Sequence, residues 1–164
     1  MLLLYILFGV FFSAMVVMRF VRGEFTTGLP GRLALSAVLV TTATGHFLYT
    51  GGLAMMMPAS IAYKTEWVYA TGVLEYAAAA GLLVPRVQKI TARLLMLFFV
   101  LVLPCNILAA KYGVDYRKAD LNGPGIGYLW FRIPLQLFLI GWAYYFGVYK
   151  AAKNKPGNTS PTSV

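Results

Sequence analysis

Residues 2–21 read LLLYILFGVFFSAMVVMRFV, twenty positions with a single charge, Arg19, close to the end. A helix rises 1.5 Å per residue, so this run crosses a hydrocarbon layer of ~30 Å. A cleaved signal peptide needs positive charge ahead of its apolar run and a small-residue cleavage site behind it. Here Met1–Val10 has no Lys or Arg, while Arg19 and Arg22 come at and after the end. That order retains the helix and puts its N-terminus outside.

Four further apolar runs follow: Leu33–Ala54, Trp67–Val84, Ala92–Ala110 and Leu129–Val148. All five are read as spanning helices, the third being the shortest and the one that carries Glu75. Composition agrees. The chain has 164 residues, 60% hydrophobic and 12% charged, with mean hydropathy +0.72. A soluble domain carries roughly twice that charged fraction. The expectation is an all-α integral membrane bundle over residues 1–149, followed by a disordered tail over 150–164 that is rich in Pro, Gly, Ser, Thr and Asn.

Fourteen Lys and Arg against five Asp and Glu give a net charge of +9. The basic residues are scattered between apolar runs, so the lipid bilayer, not nucleic acid, is the expected partner. Arg19, Arg22, Arg32, Arg86, Lys89, Arg93, Lys150, Lys153 and Lys155 fall on one side; Lys64, Lys111, Arg117 and Lys118 fall on the other. Positive charge gathers on the cytoplasmic face. The C-terminus is therefore cytoplasmic, and Arg132 lies in the mouth of the last helix.

Cysteine and histidine counts exclude several chemistries. The sole cysteine, Cys105, forms no intramolecular disulfide or CxxC pair, and the sole histidine, His46, makes no multi-histidine metal centre. Cys105 reads as packing. Met55-Met56-Met57 fans around a helix end before Pro58, and no metal site is assigned to it. Asn122 to Gly127 is turn-rich but has no preceding strand, so it is not read as a phosphate loop. Asn158-Thr159-Ser160 fits a glycosylation pattern by chance. Aromatic residues gather at run ends, Trp67, Tyr69, Tyr128, Trp130, Trp142, Tyr144, Tyr145 and Tyr149 among them, as interfacial anchors do.

Polar residues inside the runs are the informative ones, because an ionised and unpaired group costs roughly 2.5–3.5 kcal/mol at mid-helix. His46, Glu75, Asn106, Arg132 and Gln136 come from four of the runs. At 1.5 Å per residue Glu75 lies roughly 13 Å below the outer boundary, His46 and Gln136 about 10 Å, and Asn106 roughly 8 Å. They form one layer in the outer half. Thr42, His46 and Thr50 share a face of the second run; Thr71, Gly72, Ala78 and Ala79 surround Glu75 with small neighbours. Arg132 and Gln136, four apart, share a face of the fifth, with Arg132 near enough to the interface to reach toward Glu75 or to snorkel. Pro104 frees the carbonyl of Val100 and bends the fourth helix beside Asn106.

Such residues serve either as interhelical hydrogen-bond connectors or, where an acid and a base share a depth, as a proton relay or ligand site. Glu75 and His46 are the candidate catalytic pair. Asn106, Arg132, Gln136, Thr42 and Thr71 are candidate ligand contacts, and Trp130 a candidate stacking surface.

The strings Thr44-Gly45-His46-Phe47, Met57-Pro58, Gly72 with Glu75, Gly81-Leu82-Leu83-Val84-Pro85-Arg86, Pro104-Cys105-Asn106-Ile107 and Trp130-Phe131-Arg132-Ile133-Pro134-Leu135-Gln136 resemble the DoxX family of small four-helix membrane proteins. The resemblance covers roughly Leu33–Gly147 and leaves one extra helix at the N-terminus. It implies a bacterial cytoplasmic-membrane protein and a quinone-linked subunit of a redox complex. The quinone would be the cofactor, and a membrane or peripheral redox protein the partner, since no residue here carries electrons. Glu75 and His46 would then be proton acceptor and donor to the headgroup. Two other readings stand beside it: a non-catalytic scaffold or assembly factor, which includes a homo-oligomer, and a small-solute transporter. The cytoplasmic halves of the runs are almost wholly apolar, which weighs against transport.

Overall fold

In the computed structural model, which describes residues 1–23 and 26–153, the chain is all helix and loop, with one isolated antiparallel bridge, Asp115 to Asp120. The helices are α1 (Leu2–Arg22), α2 (Gly28–Leu48), α3 (Thr50–Met55), α4 (Lys64–Leu83), α5 (Gln88–Lys111), α6 (Leu129–Trp142) and a short α7 (Lys150–Lys153). A 3-10 turn, Gly125–Tyr128, leads into α6. A π-helical stretch, Ala143–Tyr149, carries α6 on into α7. The expected tail thus begins with a helical turn at Lys150–Lys153, and residues 154–164, Asn158 among them, lie outside the described residues.

The helix α2 lies centrally, packed most extensively on α4 and also on α1, α3, α6 and the π-helical stretch. Leu7, Leu35, Val38, Leu39, Leu82, Ala92, Leu95 and Ala143 form the apolar centre. Close approach between elements falls where side chains are smallest. A Cβ on Gly31 would meet the Phe146 ring at 2.2 Å, and one on Gly147 would meet the Ala92 methyl at 2.4 Å. Buried hydrogen bonds reinforce these contacts: Ser36 donates to the Ala79 carbonyl at 2.9 Å, and the Trp142 indole donates to the Gly31 carbonyl at 2.9 Å.

Element limits differ from the apolar runs in instructive ways. The second run, expected as one span over 33–54, breaks at Tyr49, whose backbone (φ −121°, ψ 33°) leaves the helical region before α3 resumes. Gly51 and Gly52 have poor helix propensity. Gly52 also lies against the loop beyond α5, where a Cβ would fall 1.9 Å from the Tyr116 carbonyl oxygen. The same loop meets the break itself, where the Tyr49 and Tyr116 rings lie edge to face at 5.9 Å. Pro104 and Pro134 both remain inside continuous helices.

Three helices are long and apolar enough to cross a membrane: Leu2–Val21, Gln88–Lys111 and Gly125–Ala152. This is a multi-pass membrane architecture, but by that measure the expected five spans become three. The helices α2 and α4 have the length, 21 and 20 residues, and fall short on apolarity. The cause is their content of Thr, His, Glu, Lys and Arg, of which Thr42, His46, Thr71 and Glu75 turn toward one another across the α2–α4 contact.

Candidate functional site

Helical spacing puts Thr42 and His46 on one face of α2, and Thr71 and Glu75 on one face of α4. The two faces meet. A Cβ on Gly72 would lie 2.9 Å from the His46 Cβ and 3.0 Å from the Phe47 ring, so the absence of a side chain there sets the helix separation. Glu75 is buried, with a side-chain exposure of 8%, and His46 is half-buried at 18%. Thr42 Oγ1 is 2.6 Å from Glu75 Oε2, and His46 Nε2 is 3.6 Å from Glu75 Oε1.

The other ring nitrogen fixes the protonation pattern. His46 Nδ1 is 3.0 Å from the Val68 carbonyl oxygen and 3.0 Å from Thr71 Oγ1. A carbonyl accepts only, and the Thr71 hydroxyl is within 2.9 Å of both the Trp67 and Val68 carbonyls, to either of which it can donate. Nδ1 therefore carries a proton. Nε2 is then the ring nitrogen that faces the carboxyl, 3.6 Å from Glu75 Oε1. The Thr42 hydroxyl donates to Glu75 Oε2, with the Val38 and Leu39 carbonyls at 3.2 and 3.1 Å as its other acceptors.

A second polar contact joins α5 to α6. Asn106 Nδ2 donates to Gln136 Oε1 at 3.3 Å, and Gln136 Nε2 donates to the Phe99 carbonyl. Pro104 lies inside the continuous helix α5, and the carbonyl that Gln136 meets is that of Phe99, not the Val100 carbonyl that the proline leaves without its helical donor. Among the described residues no hydrogen bond or ion pair links this contact to the dyad.

Arg132 is placed differently again. It does not pair with Glu75. Its guanidinium lies 5.2 Å from the Tyr128 ring centre and 5.9 Å from that of Tyr116, beside a cavity of about 10 Å³ lined by Met56, Asn106, Ala109, Val114, Pro124 and Arg132, among others. Tyr128 precedes Arg132 by four residues, so that half of the stack is visible in the helical period. Tyr116 was missed, since only the loop's return onto Gly52 brings it there. Trp130, expected as a stacking surface, is 85% exposed and faces away, in keeping with an interfacial anchor. Cys105 is a free, half-buried thiol. Among the described residues no three His, Cys, Asp or Glu side chains gather as a metal site would require.

The expected single layer thus resolves into an acid–imidazole pair between α2 and α4, an amide contact between α5 and α6, and a cationic cavity at the α6 entrance. Asn106 joins the last two, because it also lines the cavity. No curated protein and no solved structure matches the chain. A family model described as a domain of unknown function (DUF8561) matches residues 35–147, from α2 to the π-helical stretch and with α1 outside it, so the chain belongs to that family.

Proposed function

We propose that this is a DoxX-like membrane protein of five spans, with its N-terminus outside and its C-terminus in the cytoplasm of a bacterium, serving a quinone-linked redox complex. The observation that carries the reading is the approach of His46 Nε2 to the buried Glu75 carboxyl, at 3.6 Å. Reducing a quinone headgroup takes two electrons and two protons. Electrons come from the partner protein, and the dyad delivers protons one at a time and refills through the exposed edge of His46. The five-span topology rests on how α2 and α4 hide their polar groups. The hydroxyls of Thr41, Thr44, Thr50 and Thr71 each lie within 2.9 Å of the carbonyl four residues earlier, as a lipid surround demands.

Purification from native membranes, with mass spectrometry of the extracted quinones, tests this. Wild type should retain quinone, and Glu75→Gln should lose both the quinone and the activity of the copurifying complex. Unchanged retention and activity in Glu75→Gln would refute the role of the dyad.

The scaffold reading has an observation of its own: Ser36 and Gln136 spend their polar groups on neighbouring helices, and Asn106 gives its Nδ2 to Gln136. It predicts that Glu75→Gln and His46→Ala lower thermal stability while the abundance of a partner protein falls in parallel, with no bound quinone in either form.

A further inference from the structure

We infer that the cavity at the entrance of α6 is a binding site for one oxygen of an anionic group, a carboxylate or a phosphate, held by Arg132. The site is separate from the His46–Glu75 pair, and the inference does not depend on the function proposed for that pair.

Three observations lead to it. The Arg132 Nε is buried and has no hydrogen-bond partner among the described residues. A buried donor left unmade costs free energy, more so when it belongs to a charged group. Second, no carboxylate comes within ion-pair distance of Arg132 among the described residues. The two acids of the covering loop are spent inside it: Asp115 Oδ1 accepts the Arg117 amide at 2.9 Å, and Asp120 Oδ1 accepts the Asn122 amide at 3.1 Å. The Tyr116 and Tyr128 rings favour the cation but neutralise nothing. The guanidinium is thus oriented, partly desolvated and still short of a counter-charge.

Third, the space has the right size for a single atom. A cavity of about 10 Å³ takes roughly one water-sized group. No ring enters it as built, whereas one oxygen of an anion can, with the rest of the group outside near Pro124 and Gly125. Arg132 would donate through Nε, and Asn106, which lines the same space, lies across from it. Lys111, Arg117 and Lys118 on the outer connection add attraction for an anion from that side. Two sources share this chemistry, an anionic lipid headgroup and a free anion in the outer medium.

The test uses the full chain in nanodiscs. In mixed phosphatidylcholine and phosphatidylglycerol discs, native mass spectrometry should show phosphatidylglycerol retained in preference. Arg132→Gln should lower that preference roughly tenfold or more, the value of a charge-assisted hydrogen bond. In neutral discs, inorganic phosphate, against chloride at equal ionic strength, should raise the melting temperature of wild type and not of Arg132→Gln. A response in the first arm identifies the lipid as source, a response in the second the free anion, and either supports the site. Because Arg132→Gln can fail to fold, the same question is put to wild type: phosphatidylglycerol or phosphate should slow phenylglyoxal modification of Arg132 severalfold. Glu75→Gln should leave that protection intact. Absence of preference, of stabilisation and of protection would overturn the proposal, as would a lipid preference that survives Arg132→Gln and so belongs to the opposite, basic face.

Discussion

At the scale of single residues, the contact that matters most is a carboxyl oxygen 3.6 Å from an imidazole nitrogen, because each group is intelligible only through the other. Gln in place of Glu75 keeps the shape and offers an N–H to His46 Nε2. Glu75→Gln should therefore unfold within about 1 kcal/mol of wild type, while Glu75→Ala, which leaves the imidazole facing empty space, should lose about 1–3 kcal/mol in denaturant titrations of reconstituted protein. Equal losses would mean that His46 draws no stability from a polar partner at position 75. A second cycle concerns the amides: Asn106→Ala, Gln136→Ala and the double variant should give a coupling of about 0.6 kcal/mol, and not above ~1.7, as interhelical bonds in membranes do. The residue types and the shared faces of Thr42 with His46 and of Thr71 with Glu75 were legible in the sequence. What was not legible is the division of the layer into separate contacts, because periodicity assigns a face to Arg132 without saying that Tyr116 will already be standing there.

Among elements, the α2–α4 contact is governed by a missing side chain. Gly72→Ala must move the His46 backbone or its own helix by a few tenths of an ångström, and Gly72→Leu cannot be accommodated without separating the helices. The expected cost is about 1–3 kcal/mol for Gly72→Leu, from overpacking. Gly9→Ala, at a position with nothing within 4 Å, should be neutral or gain up to about 1 kcal/mol of helix propensity. The two variants compared by thermal unfolding separate a packing constraint from a general intolerance of helix changes. The helices themselves were readable as apolar runs. Their ends were less so, since the break at Tyr49 lies against a loop more than sixty residues later, and no local pattern around Gly51 and Gly52 announces that contact.

For the molecule as a whole, the sidedness is the claim that an experiment reaches most directly. With Cys105 replaced by Ala, Lys118→Cys should react with a membrane-impermeant maleimide in intact cells, and Lys89→Cys should react only after the membrane is opened. The reverse pattern would invert the topology. The membrane class was plain from composition, whereas the number of crossings was not: five apolar runs were read as spans, and three helices, without α2 and α4, are long and apolar enough to cross. One contact between distant parts carries a mechanical corollary. Gly52 lies so tightly beneath the Tyr116 carbonyl that no side chain fits between them, so any residue larger than glycine at this position must part α3 from the loop beyond α5.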